Sequence, residues 1–325
     1  MTTASIIIPS YRGAQRLPRL LSALAAQTAK DWEAIVVIDG DMDGSEGIVA
    51  TYSHLPIRSL VFPQNRGRVA ALNAGHEAAE GNVLIRCDDD LEPAPDYVER
   101  HVANHADREQ GTIGIYLNVL PDNRYTAVYG AEADERVRAG AYRADDDQTW
   151  RYWAGNVSIT KAIWEQVGPY DDHYQAYGWE DVDYGWRLHQ AGIPIVVDPA
   201  LATRHHAAAV STLARVSRSY RSGQARRTFD EIHGPGTSGA VRPVEDSRWN
   251  QLVCSTAPTC PTAGSRPWPR ASTLLCPVSQ PRSHERPLRC LSRRRASRDT
   301  RPPKPRRETS DTWARPKPLP NMEAS

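Results

Sequence analysis

Four short apolar runs recur between residues 4 and 90, each ending in a polar cluster, and helix-patterned segments separate them. The first, "ASIIIPS", is β-branched and ends in Pro9 and Ser10, the pattern of a buried strand running into a loop. Leu17, Leu20, Leu21 and Leu24 then recur at helical spacing, with Pro18 in the first turn. "WEAIVVIDG" predicts a second buried strand closed by Asp39 and Gly40, and "IRSLVFP" a third, weaker one. "RVAALNAGHEAA" predicts a helix closed by Gly81, and "NVLIRC" is the fourth strand. This alternation predicts an α/β fold with a doubly wound, mostly parallel sheet.

Sheets of that kind bind ligands at the carboxyl ends of their strands. The polar residues collect there: Ser10 to Arg12, Asp39, Asn65 to Arg68, and Asp88 to Asp90. No GxGxxG follows the first strand and no GxxxxGK[ST] occurs, which argues against a dinucleotide fingerprint and a P-loop. In "IRCDDDLEP" three carboxylates stand side by side at the end of an apolar run. On an extended chain Asp88 and Asp90 share one face while Asp89 points away, so the pair invites a cation.

Charge divides the chain. Residues 1–236 carry 23 Lys and Arg against 32 Asp and Glu, a net of −9, whereas residues 237–325 carry 17 against 7, a net of +10. The second part holds 14 of the 25 prolines and no sustained apolar period, so residues 233–325 are expected to be a disordered Arg/Pro-rich tail. Its composition also resembles a GC-rich coding sequence read out of frame, that is, a non-native extension. Cys254, Cys260, Cys276 and Cys290 lack paired CxxC spacing and read as unpaired thiols, and Cys87 stands alone in the body. With no run of about 18 apolar residues and no signal-peptide pattern, the folded part is expected to be cytoplasmic. "TLARVSRSYRSGQARRTF" reads as a basic amphipathic helix, so the segment after residue 210 could touch the inner membrane face. Nothing in the tail predicts specific nucleic-acid recognition.

The ordered set "SIIIPSYRGAQRLPRLLSALAAQT", "EAIVVIDGDMDGS", "NRGRVAALNAG", "CDDDLEP", "AGNVSITKAIWEQVGPYDDHYQAYGWEDVDYGWRLHQAG" and "ATRHH" resembles the family 2 glycosyltransferases of the GT-A fold, with a galactosyltransferase-like ED motif. The resemblance covers roughly residues 4–206. It implies a Rossmann-like, doubly wound sheet over residues 1–232, with a nucleotide-binding half of about 1–110 and an acceptor half of 111–232. It also implies metal-dependent, inverting transfer of a sugar from a nucleoside-diphosphate sugar, taken as UDP-linked, to a hydroxyl of a glycan, lipid-linked or other acceptor in cell-surface polysaccharide or glycoconjugate synthesis. The alternatives are a retaining GT-A transferase, which typically carries DxH, and an inactive nucleotide-sugar binding protein.

Residue by residue, the resemblance places Mn²⁺ or Mg²⁺ on Asp88 and Asp90, with His205, chosen over His206, completing the site; hard oxygen ligands and an imidazole suit either ion. It places Pro9, Tyr11, Arg12 and Asp39 around the nucleoside, Arg68 near the base or phosphates, Asp89 toward the ribose or solvent, and Asn156 of "AGN" against the donor sugar. In "YGWEDVDYGWRL" it makes Asp181 the general base and Glu180 an acceptor or loop contact, at a helix start that favours carboxylates. Trp179 and Trp153 are candidate sugar platforms. "ADDDQTW" follows no apolar strand and reads as a solvated loop.

Overall fold

The computed structural model describes residues 2–174, 178–239 and 251. The four apolar runs form β1 (Ala4–Ser10), β2 (Trp32–Ile38), β3 (Ile57–Val61) and β4 (Val83–Cys87), linked by α1 (Leu17–Ala25), α2 (Ser45–Ala50) and α3 (Arg68–Glu77). The chain continues through β5 (Leu91–Glu92), α4 (Tyr97–Ala103), β6 (Gly111–Ile113), β7 (Tyr116–Asn118), α5 (Ala131–Tyr142), β8 (Asn156–Thr160), α6 (Lys161–Val167), α7 (Glu180–Gln190), β9 (Ile195–Val197), β10 (Thr203–His205) and α8 (Thr212–His233). Only α2 among the first seven elements was not expected from the apolar pattern; it has six residues, too few to show a helical period.

The main sheet runs β3-β2-β1-β4-β8-β6-β9. Pairing is parallel from β3 to β4, antiparallel where β8 joins β4 and β6, and parallel again between β6 and β9. The reversal at β8 matters for the site. Asn156 pairs with Cys87, so the residues entering β8 lie beside the residues leaving β4. A second sheet, β5-β10-β7, sets His205 opposite Leu91 on one side and Asn118 on the other.

Strand alternation divides the core into two layers. Ile6, Ile8, Val36 and Ile85 pack on one side with Leu17, Leu20, Leu21 and Leu24 of α1, all four leucines fully buried. Ile7, Ile35, Val37 and Leu84 pack on the other with Leu72 of α3 and the aromatic group around Tyr184. Each buried leucine contributes about 2 kcal/mol of transfer free energy, so α1 is fixed by its apolar stripe.

Packing continues past the expected boundary at residue 232. Ser238 is buried and its Oγ donates to Asp230 Oδ2 at 2.7 Å, and Arg226 Nε donates to Ser238 Oγ at 2.8 Å. The readings of residues 233–325 as disordered or out of frame fall, apart from 233–239 and 251, outside the described residues. Among the described residues no helix is long and apolar enough to cross a membrane.

Candidate active site

A cavity of about 1040 Å³ opens where β1 and β2 end. Pro9, Ser10 and Tyr11 form one wall and Asp39 another; the first turn of α3, Asp89 and Glu180 complete it. A helix start lining a cavity favours an anion there, because its first N–H groups have no intrahelical acceptor.

Asp39 shapes this wall. Its carboxylate accepts from the Arg66 N–H at 2.6 Å, the Gly67 N–H at 2.9 Å and Asn65 Nδ2 at 2.8 Å. Both oxygens are therefore engaged by the loop that starts α3, and the carboxylate still lines the cavity. Arg12 is not among the residues that line the cavity; it follows Tyr11 at φ 51°, with its guanidinium 5.3 Å from the Tyr11 ring centre. Arg16, which was not anticipated, and Arg66, from the polar cluster at residues 65–68, line the cavity.

The acidic triplet separates into three roles. Asp89 accepts from Ser10 Oγ at 2.7 Å and from Arg16 Nε and Nη2, both at 2.8 Å. Burial pushes its carboxyl up while Arg16 and Ser10 pull it down. Its oxygens thus brace the loop after β1 at the cavity wall. The same crowding explains Gly13, where a Cβ would stand 2.0 Å from Ser10 Oγ.

Asp88 faces the other way. Burial alone would raise its carboxyl, but Arg86 and Arg68 outweigh that and hold it below the ordinary value. Arg86 Nε donates to Asp88 Oδ1 at 3.1 Å. Beside it Gly155 has room for no side chain: a Cβ there would lie 2.2 Å from Asp88 Cγ and 2.5 Å from the Tyr116 hydroxyl.

Asp90 keeps one buried oxygen without a partner, and its other oxygen is 3.5 Å from His205 Nε2. His205 Nδ1 lies 2.5 Å from Asn118 Oδ1, a contact that holds the ring with Nε2 toward Asp90. His206 is instead 2.6 Å from Glu92 Oε2, on the far side of β10. An orphaned carboxylate oxygen, a second carboxylate and an oriented imidazole fit a Mn²⁺ or Mg²⁺ ion chemically. The ligand atoms of Asp88, Asp90 and His205 do not all lie within 4.8 Å of one another, so a shared ion would draw them inward. Among the described residues the one group that close is Asp171, Asp172 and His173, on a turn whose Asp172 and His173 are exposed.

The ED pair opens α7 after a turn with Gly178 at φ 84° and Trp179 at φ 74°. Glu180 reaches the cavity with a 3% exposed side chain; Oε1 lies 3.4 Å from Arg68 Nη1 and Oε2 has no partner. Burial, then the charge of Asp181, raise its carboxyl to about 7. Asp181, its side chain 16% exposed, accepts from Arg86 Nη1; like Asp88, Asp90 and His205 it is not among the residues that line the cavity. Asp183 is fully buried, holding Arg187, Tyr174 and His233, and so ties α7 to α8.

Two more expected contacts, Asn156 and Trp153, are buried. Asn156 is fully buried; its Oδ1 accepts from the Tyr97 hydroxyl at 2.9 Å and its Nδ2 donates to the Leu201 carbonyl at 2.9 Å. It braces the core. Trp153 is 2% exposed and packs on Tyr184, so it offers no open platform; only its edge borders a smaller cavity of about 210 Å³ with Tyr116 and Tyr152. Trp179 is half-buried, its indole N–H donating to Ser222 Oγ at 3.0 Å and its ring 5.1 Å from Phe229.

A model described as "Glycosyl transferase family 2" matches residues 5–163, and one described as "N-terminal domain of galactosyltransferase" matches residues 141–208, the segment that contains the ED pair. The chain belongs to the family 2 glycosyltransferases. This family 2 glycosyltransferase is 31% identical over 244 residues to validoxylamine A glucosyltransferase of Streptomyces hygroscopicus subsp. jinggangensis, covering 64% of this chain and 58% of the relative. It is 33% identical over 127 residues to an undecaprenyl-phosphate 4-deoxy-4-formamido-L-arabinose transferase of Pseudomonas fluorescens, 37% of each. The chain thus spans less than two thirds of the length of the curated relatives it matches. Its fold is that of a mannosyltransferase from Pyrobaculum calidifontis solved with GDP-Man and Mn²⁺, at TM-score 0.55 and 17% identity, covering 69% of this chain and 64% of that one. It is also that of S. aureus TarS 1-349, at TM-score 0.51 and 14% identity, with 77% of each covered.

Proposed function

We propose that this chain transfers a sugar from a UDP-linked donor to an acceptor hydroxyl with inversion, using a divalent metal. The observation that carries the reading is a single cleft in which the strand ends of the nucleotide half and Glu180 of the ED pair face each other. In that cleft Pro9 and Tyr11 border the base, while the start of α3 and Arg68 face the diphosphate. Asp181 accepts the acceptor hydroxyl proton as its oxygen attacks the anomeric carbon; the bond from that carbon to the diphosphate oxygen breaks, and its electron pair leaves with the nucleoside diphosphate. Mn²⁺ or Mg²⁺ held by Asp88, Asp90 and His205 would supply positive charge to that departing diphosphate. Solved structures of the same fold carry GDP-Man with Mn²⁺ and, at TM-score 0.50, UDP, which supports a nucleotide-sugar donor with a metal.

The acceptor is a glycan or lipid-linked hydroxyl in polysaccharide synthesis, reached on the cytoplasmic side. A relative named for undecaprenyl phosphate supports a lipid-linked acceptor. Leu213, Val216 and Tyr220 form an exposed stripe on α8, with Arg221 and Arg227 exposed near it, a surface suited to peripheral contact with an anionic membrane. The test is a panel of UDP- and GDP-sugars with Mn²⁺, Mg²⁺ or chelator, scored by nucleotide release and by product anomer. Metal-dependent release of UDP and a product of inverted configuration are expected, and Asp181→Ala abolishes transfer while keeping UDP binding. Retained configuration, or normal turnover by Asp181→Ala, would overturn the assignment of the base.

A further inference from the structure

We propose that Arg86 is a positioning residue that couples the donor side of the cleft to its acceptor side. The proposal rests on the transferase reading above. Arg86 lies in β4, with a side chain 1% exposed, where a strand buried on both faces otherwise takes apolar residues. One planar guanidinium serves two distant elements: Nε donates to Asp88 Oδ1 at 3.1 Å, and Nη1 donates to Asp181 Oδ1. Asp88 directly follows β4, and Asp181 belongs to the first turn of α7. The guanidinium also lies 5.7 Å from the ring centre of Tyr170.

A buried ion pair is a weak source of stability, because desolvating the charges offsets most of their attraction. Its geometric effect is stronger. Two N–H vectors of one rigid fork fix the separation and mutual orientation of the carboxylates they hold. Asp88 sits where the leaving diphosphate is received and Asp181 where the acceptor proton goes. Arg86 thereby holds the proton-accepting group in register with the donor, although it touches neither substrate. Lysine restores the charge at this position but not the fork.

The test compares Arg86→Met and Arg86→Lys with the wild type in three measurements. These are calorimetric binding of UDP with Mn²⁺, turnover on the donor that the sugar panel identifies, and hydrogen exchange of peptides covering residues 179–184. In Arg86→Met kcat is expected to fall on the order of 100-fold, with UDP affinity little changed and exchange at the start of α7 accelerated. Arg86→Lys should recover the fold and only part of kcat, and it serves if the methionine variant does not fold. Loss of UDP affinity in proportion to kcat in Arg86→Lys would assign Arg86 to donor binding and overturn the proposal. Full recovery by lysine would show that charge alone matters, and unchanged exchange across residues 179–184 would show that Asp181 is held by something else; either result overturns it. If the wild type releases no nucleotide from any donor, the transferase reading fails, while the exchange measurement still decides whether Arg86 holds the start of α7.

Discussion

Replacing Glu180 with Gln isolates a pH-dependent cost built into the cleft. The Glu180 carboxyl is 3% exposed, one oxygen has no partner, and Arg68 Nη1 stands 3.4 Å from the other. Burial, followed by the neighbouring charge of Asp181, raises its pKa from 4.5 to about 7. A raised pKa means that the folded chain binds this proton more tightly than the unfolded chain does. The stability contributed by that proton is complete below about pH 4.5, declines as pH rises, and is gone above about pH 7. At 1.36 kcal/mol per pKa unit, the cost at pH 8 is roughly 3 kcal/mol relative to acid conditions.

The measurement is urea unfolding of wild type and Glu180→Gln, followed by tryptophan fluorescence, from pH 4.5 to 8 without metal or nucleotide. The difference between the two proteins matters, since other titrating groups are common to both and largely cancel. It should move in favour of the variant by about 3 kcal/mol across that range. A difference that stays flat with pH would falsify the account of Glu180 as a carboxyl that burial keeps protonated near neutrality.

Gly155→Ala should cost about 1–3 kcal/mol of stability and lower turnover on the order of 100-fold, because its Cβ would collide with Asp88 and Tyr116; wild-type kinetics in a folded variant would remove the close approach from the argument. His205→Ala should weaken activation by Mn²⁺, and Asn118→Ala, which frees the imidazole to turn, should do so by roughly 10- to 100-fold. His206→Ala, whose ring faces Glu92, should leave the Mn²⁺ titration in place, and the reverse ranking of the two histidines would reassign the ligand. His76→Phe should flatten the acid limb of stability: burial holds the imidazole at about 4, so the stability present above pH 6.5 is lost as pH falls toward 4, by about 3 kcal/mol. The ring stacks 4.3 Å from Trp164, a contact that phenylalanine keeps, and a wild-type acid limb in the variant would assign the acid sensitivity to His101 or His105.

What the sequence shows and what it hides follow from the range of the interactions involved. β1, β2 and β4 are legible because a strand buried on both faces is a mostly apolar run, and α1 because four leucines at helical spacing need no partner to be recognised. The polar clusters at the strand ends are legible for the same local reason. β6 and β7 have three residues each, too short to display a period, and the antiparallel entry of β8 depends on pairing across about 70 positions, Cys87 with Asn156. That pairing brings Gly155 against Asp88 and also buries Asn156, so one register sets both the close approach of the glycine and the burial of the asparagine. Trp153 shows the same ambiguity, since the flat apolar ring that suits a sugar also suits a core, and only its packing on Tyr184 decides. Arg86 differs from these. A cation inside "NVLIRC" contradicts the apolar pattern around it, and such local contradictions concentrate at functional sites. Its partner 95 positions away is invisible in the sequence, but the contradiction is not. The residue that breaks the strand's own rule is the one that joins the two carboxylates on which the proposed chemistry depends.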